Sequence, residues 1–436
     1  MESIFGHADE VLERTSPFEL RGYVTDIRGL LIEGSGPQVP LGSHVTIRNG
    51  SQVIPAQVIG FRKDKVLFMP FGEMQGIAPG CSITATHGNC HAYVSNELQG
   101  RVIDALGNPL DGQPLPRMAH LVSLYRDPPN PVSRQRITEC LDIGVKAING
   151  LLTIGKGQRV GIMAGSGVGK STLLGMIAQK ATSDVNVIAL VGERGREVRE
   201  FLERDLGPEG LARSVVVVAT GDQSALLRIR AAFLATSLAE FFRDQGKSVT
   251  LMVDSITRLA MAQREVGLAA GEPPSTRGYT PSVFALLPKL LERAGTCAGE
   301  GNITGLYTVL VEGDDLNEPV ADAVRGILDG HIVLSRRLAG RGHYPAIDTL
   351  QSISRVMPDI VNPEVMKMSN EIREIIASYQ DAEDLITIGA YKPGQNPRVD
   401  RAVQRIEQVQ QFLRQSINER ESLERCWLSM GQILQG

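Results

Sequence analysis

Several residue types are scarce in this chain of 436 residues. It has five cysteines, one tryptophan and only 5% aromatic residues. The cysteines (Cys81, Cys90, Cys140, Cys297, Cys426) are odd in number and scattered, which argues against a disulfide framework and for a reducing compartment. So few aromatics leave little surface for stacking bases. The formal charge of −4, from 45 Lys plus Arg against 49 Asp plus Glu, gives no positive excess for a phosphate backbone, so nucleic acid is not expected as a partner. No run of about 18 apolar residues is present, so no bilayer-spanning helix is expected. The N-terminus lacks a basic start followed by an apolar stretch and a cleavage site, so no secretory signal is expected either. Cys81, His87, Cys90 and His91 lie close together but contain no CxxC pair, and strand alternation would send their side chains to opposite faces.

What is present is the composition of a folded globular protein, 42% apolar and 22% charged. The length suits roughly three domains at about 150 residues each. Ile4, Phe5, Ala8, Val11 and Leu12 share one helical face, predicting an amphipathic helix over residues 1–17, either packed on its own domain or docking a partner. Residues 18–95 read as a small β-barrel or sandwich. Short strand-like runs at 21–33, 43–48, 52–61, 65–70 and 81–86 are punctuated by Gly, Asn-Gly and Pro-Gly turns. Residues 96–137 form a Gly- and Pro-rich transition into a domain ending near 361. There, apolar runs at 160–164, 185–191, 214–219, 249–253 and 306–311 alternate with helical stretches, the pattern of a mostly parallel sheet covered on both faces. Residues 362–436 read as helical. Ala402, Ile406, Val409 and Leu413 form one stripe, and 416–434 is expected to continue in the same way.

The strongest local signal is the octapeptide Ala164, Gly165, Ser166, Gly167, Val168, Gly169, Lys170, Ser171, followed by Thr172. It has the spacing of a P-loop, with Ala164 at the usual first glycine. Glycines let successive backbone N–H groups curve around phosphate oxygens, and the helix that follows presents its positive end to an anion. In that setting Lys170 reaches the β- and γ-phosphates of ATP and the Ser171 hydroxyl ligates Mg²⁺. An apolar run ending in Asp254 places a second candidate for the Mg²⁺ shell, partly through water, at the same sheet edge. Glu193, just past the run at 185–191, is placed either to polarise an attacking water or merely to open a helix.

Together the motifs at 164–171, 192–198 (Gly-Glu-Arg-Gly-Arg-Glu-Val) and 252–258 (Met-Val-Asp-Ser-Ile-Thr-Arg) resemble the rotary-ATPase-type hexamers. Residues 271–279, 327–334 and 343–348 are similar to the ATPases of type III protein export, and residues 389–400 are more similar to the flagellar than to the injectisome branch. The resemblance implies a multidomain fold: an N-terminal β-barrel, a central RecA-like α/β domain and a C-terminal helical domain. It implies Mg²⁺-dependent ATP hydrolysis in a homohexameric ring that energises protein export. Glu193 would be the catalytic carboxylate, with Arg194 and Glu197 in support. Asp254 would be the Mg²⁺-linked carboxylate, and Tyr344 would pack on adenine. Arg355, in Ser-Ile-Ser-Arg (352–355), would be an arginine finger offered to a neighbouring subunit. The implied partners are a stator-like regulator at the N-terminal helix, an export gate and chaperone–substrate complexes. The implied place is the cytoplasm, peripheral to the inner face of the membrane. An injectisome ATPase, the catalytic subunit of a rotary ATP synthase and a hexameric RNA translocase are the rival readings. The acidic balance counts against the translocase.

Overall fold

The computed structural model describes residues 19–86, 90–311, 313 and 315–435. The expected helix at 1–17 and His87 lie outside the described residues.

Alternating apolar residues and tight turns build the first domain. Six antiparallel strands close in the order Arg21–Arg28, Leu31–Gly34, Lys65–Pro70, Gln52–Arg62, His44–Asn49 and Ser82–Ala85, and the last pairs with the first. Val24, Ile32, Val45, Ile47, Val58, Val66, Phe68 and Ile83 fill the interior. The run at 21–33, expected as one strand, is two. Gly29 takes a left-handed φ of 59° and with Leu30 makes a two-residue hairpin, so Arg28 faces Leu31. Only Arg28 and Gly29 separate Ile27 from the apolar Leu30, Leu31 and Ile32, so little in the sequence marks the turn.

The transition segment is not mere linker. Its Val102–Asp104 adds an edge strand to the central sheet, parallel to Ser214–Ala219. The segment is also pinned to the α/β domain by a fully buried guanidinium. Arg293 donates to the Leu124 carbonyl, to Ser237 Oγ and to both Glu240 carboxylate oxygens. Every donor in that buried group but one is matched, the condition under which a buried charge is tolerated.

The central sheet runs in the order Ile347–Ser354, Gly330–Leu334, Arg159–Ala164, Asn302–Leu310, Ser248–Asp254, Val185–Val191, Ser214–Ala219 and Val102–Asp104, with Gly295–Thr296 paired beside Asn302–Leu310. Its interior pairings are parallel, and all seven residues of Val185–Val191 are buried. One face packs on helices Ala225–Arg243, Ile256–Ala270 and Pro281–Leu291. The other packs on Lys146–Leu151, Lys170–Lys180 and the C-terminal helices. Two faces covered in apolar side chains explain why the strands carry unbroken apolar runs.

Three helices end the chain: Pro363–Thr387, Pro397–Leu413 and Leu423–Gln435. The expected helical continuation from 416 to 434 is corrected, because the backbone leaves the helix after Leu413 and resumes at Leu423. Polar groups between them are committed to non-helical hydrogen bonds instead: Gln415 N–H donates to the distant Tyr344 carbonyl, and Ser416 N–H to the nearby Glu419 carboxylate.

Barrel and α/β domain meet at His44. Its ring lies 4.7 Å from the Phe71 ring, and its Nε2 is 3.4 Å from Arg230 Nη1. Burial, aided by the Arg230 charge, pushes the imidazole pKa from 6.5 down to about 4. The unfolded chain therefore takes up a proton below pH 6.5, while the folded chain does so only near pH 4. Stability from this residue is complete above pH 6.5 and is lost as pH falls toward 4, by up to about 3 kcal/mol at about 1.4 kcal/mol per pKa unit. Denaturant unfolding at pH 7 and pH 4.5 should show a shallower pH dependence for His44→Gln than for the unaltered chain. Equal slopes would acquit His44.

Candidate active site

The site is assembled at the carboxyl edge of the central sheet. Strand Arg159–Ala164 leads into the glycine loop, and helix Lys170–Lys180 leads out. Gly167 and Gly169 have φ of 77° and 90°, a left-handed conformation that side chains disfavour, so glycine is required at both. Gly169 caps the helix without a side-chain hydrogen bond, which leaves first-turn N–H groups available to an anion. The Val168 side chain is 2% exposed and packs in the apolar core, so it is its backbone that is left to serve a ligand.

Lys170 is the hub. Its ammonium lies 3.2 Å from Glu193 Oε1 and also donates to Asp254 Oδ1. Glu193 follows strand Val185–Val191, Asp254 ends the adjacent Ser248–Asp254, and Lys170 follows the loop after Arg159–Ala164, one strand further along, so three strand ends at one sheet edge place the three charges. Burial opposes the charge on Lys170, but the Asp254 and Glu193 carboxylates outweigh it and hold the ammonium above its ordinary range. Burial, with Asp254 adding and Lys170 opposing, pushes the Glu193 carboxyl above the usual carboxylate value. A cleft of about 470 Å³ opens over this triad, lined by Gly165, Ser166, Gly167, Ser171, Thr172 and their neighbours.

The remaining expected residues fall into two groups. Arg194 and Glu197 stand at the cleft rim, 3.6 Å apart, with the Arg194 side chain 76% exposed. Tyr344 stands beside the loop; a Cβ added to Gly169 would lie 3.7 Å from its ring, which is 46% exposed. Arg355 is not brought to this cleft within the chain. Ala164, at the mouth of the loop, faces Leu334, whereas Ser354 faces Gly330 four residues back along the same strand. That separation is about 13 Å at the usual strand rise. The exposed Arg355 guanidinium donates there to the Leu328 and Arg325 carbonyls at the end of helix Pro319–Ile327.

Sequence reasoning missed four residues. Arg204, Arg258 and Arg336 line the cleft, and the buried Arg258 Nε finds no hydrogen-bond partner among the described residues. Thr308, fully buried, donates from Oγ1 to Asp254 Oδ1 at 2.6 Å. A hydroxyl inside the apolar run at 306–311 was the signal for Thr308. Arg204 and Arg336 had none, lying among many charged residues.

The oxygen-bearing groups at Lys170 are the Ser171 hydroxyl beside it in the chain and the Glu193 and Asp254 carboxylates. They suit a hard cation such as Mg²⁺, and the orphaned Arg258 Nε and uncapped helix suit the phosphates of a nucleotide.

Comparison with known proteins agrees. The nucleotide-binding domain of the ATP synthase alpha/beta family matches residues 144–354, its beta-barrel domain matches 24–87, and the T3SS EscN ATPase C-terminal domain matches 361–432. The flagellum-specific ATP synthase of Bacillus subtilis is 55% identical over 95% of this chain and 95% of its own. The type 3 secretion system ATPase of Xanthomonas euvesicatoria is 47% identical over 92% and 91%. The assembled ATPase EscN from the enteropathogenic E. coli type III secretion system superposes with a TM-score of 0.89 and 45% identity, over 95% of this chain and 100% of that one. The chain is an ATPase and belongs to the family of flagellum-specific ATP synthases and type 3 secretion system ATPases.

Proposed function

We propose that this ATPase energises the export of flagellar proteins by the type III route, as a homohexameric ring held peripherally at the cytoplasmic face of the membrane. The observation that carries the reading is Lys170 held between Glu193 and Asp254 under a glycine loop. Among the described residues no helix is long and apolar enough to cross a membrane. The flagellar assignment rests on the 55% identity to a flagellum-specific relative against 47% to a secretion-system one.

In this reading the loop N–H groups and Lys170 bind the triphosphate, and Tyr344 packs on adenine. Ser171 and Asp254 hold Mg²⁺, with substrate phosphates and water completing its shell; when bound, the ion neutralises charge on the phosphoryl oxygens. Lys170 then exchanges its carboxylate partners for phosphate, which releases Glu193 to accept a proton from the attacking water. Arg355 serves the cleft of the adjoining subunit. The barrel at 18–95 forms the ring's crown, and residues 96–361 carry nucleotide at each interface. The helical domain at 362–436 faces the gate and chaperone–substrate complexes, and residues 1–17 dock a stator-like regulator.

The test is complementation. In a flagellated cell lacking its own export ATPase, the full chain should restore filament growth and Lys170→Ala should not, although both accumulate. Restored secretion through an injectisome but not of filament protein would move the protein to the other branch. Absence of Mg²⁺-dependent hydrolysis by the purified chain would overturn both.

A further inference from the structure

The non-helical stretch between the last two helices touches both Tyr344, which stands beside the phosphate loop, and the far end of the helix that follows that loop. At its start sits Gln415, 6% exposed, with all of its close polar contacts made to backbone. Its Oε1 accepts from Lys146 N–H at 2.8 Å. Its Nε2 donates to the Gly144 carbonyl at 2.8 Å and to the Glu419 carbonyl at 2.7 Å. With its side chain so fixed, its own backbone N–H donates to the carbonyl of Tyr344 at 2.9 Å. Two lysines tie the same stretch down. Lys146 pairs with the Glu419 carboxylate, and Lys180, the last residue of the P-loop helix, donates to the Ile417 and Glu419 carbonyls. Gly144 closes the arrangement, because with φ 72° it packs so near Lys180 that an added Cβ would fall 2.5 Å from the Lys180 Cβ.

Such density of tertiary hydrogen bonds on one irregular segment costs a helix its continuation. It also leaves the buried Lys180 without a carboxylate at hydrogen-bonding distance among the described residues, and burial, with Glu419 opposing, pulls its pKa down to about 8. A segment that only joined two helices would not need a buried glutamine or an ammonium aimed at carbonyls. The groups it fixes are informative: the carbonyl of the residue whose ring stands beside Gly169, and the far end of the helix that begins at Lys170.

We infer that Gln415 is a positioning residue for nucleotide binding, a latch through which the C-terminal domain sets the place of the Tyr344 ring against the base. The inference rests on the reading of Tyr344 as the adenine contact. Gln415 touches neither the triad nor the phosphate loop in any hydrogen bond described, so its effect falls on the base and not on the chemistry.

Gln415→Met keeps length and volume and removes the amide. It should raise KM for ATP and weaken ADP binding by calorimetry about tenfold, while kcat stays within about twofold. Binding of Mg²⁺–tripolyphosphate, which has the phosphates and no base, should be unchanged. Emission from Trp427, whose indole donates to the Asn149 carbonyl at the same domain junction, reports whether the C-terminal helices remain docked. Tyr344→Ala separates the two readings. If it weakens ADP and spares tripolyphosphate while Gln415→Met changes neither, the latch is overturned and the adenine contact stands. If Tyr344→Ala changes neither, the adenine contact fails and the latch with it. Equal weakening of ADP and tripolyphosphate by Gln415→Met, or a fall in kcat matching the rise in KM, would mean general loosening and also overturns the latch. Should Gln415→Met shift Trp427 emission, Gln415→Glu, which keeps the acceptor for Lys146 N–H, is put through the same comparison with the same outcomes.

Discussion

Arg355→Ala is expected to lower ATP turnover by about a thousandfold or more while leaving nucleotide binding intact. An arginine finger contributes roughly 10³–10⁵ in turnover where one has been removed. A competing structural role exists, since the guanidinium also caps helix Pro319–Ile327 through the Leu328 and Arg325 carbonyls. Loss of such exposed contacts costs about 1 kcal/mol of stability and has no direct route to the chemical step. Turnover and thermal stability therefore separate the two roles. The position of Arg355, near the sheet edge opposite the loop, adds a second condition: its effect must pass between subunits. Activity per subunit should rise with protein concentration. Mixing Lys170→Ala chains, which retain Arg355, with Arg355→Ala chains, which retain the loop, should recover part of the activity by creating complete interfaces. If mixed oligomers form and recover nothing, and the unaltered chain is indifferent to concentration, Arg355 is a helix cap and nothing more.

Glu193→Gln should bind ATP and fail to turn it over, with kcat down by about 10²–10⁴, the usual worth of a positioned general base. The amide preserves shape and can still contact Lys170, and the Lys170–Asp254 pair is untouched, so affinity for Mg²⁺–ATP should change little. Lys170→Ala is the contrast, because it removes both the phosphate contact and the cation that balances two buried carboxylates, and should lose binding as well as turnover. Arg194→Ala, at an exposed rim, should change kcat only a few-fold. Rapid phosphate release under single-turnover conditions by Glu193→Gln would mean that another group, with Glu197 nearest in sequence, activates the water.

The strands were legible because burial on both faces imposes unbroken apolar runs, and those at 185–191 and 214–219 coincide with the observed strands. The loop was legible because its chemistry leaves little choice of residue at Gly167, Gly169 and Lys170. What escaped has a common physical cause. Gly29 turns the run at 21–33 into a hairpin with apolar residues close on both sides of it, Val102–Asp104 is too short to show a period, and the break after Leu413 is set by hydrogen bonds to partners about 270 residues away in the chain. Gln415 bonds to Gly144 and Lys146, and Arg258 lines a cleft assembled from distant segments, so no local window contains the reason for either. Arg355 differs, because its place became intelligible only through likeness to a family and not through anything its neighbours in the chain require.

The first six strands close on themselves, and each finds a partner on both sides. In the ring proposed above, barrels of this kind would offer a neighbour no free row of N–H and C=O groups from these strands, leaving side chains and turns to make the contact. Tyr23, Val53 and Phe61 are apolar residues left exposed on that outer wall. Barrels joined in this way would separate without unzipping a sheet, and their closed strands give no edge on which one barrel could extend another.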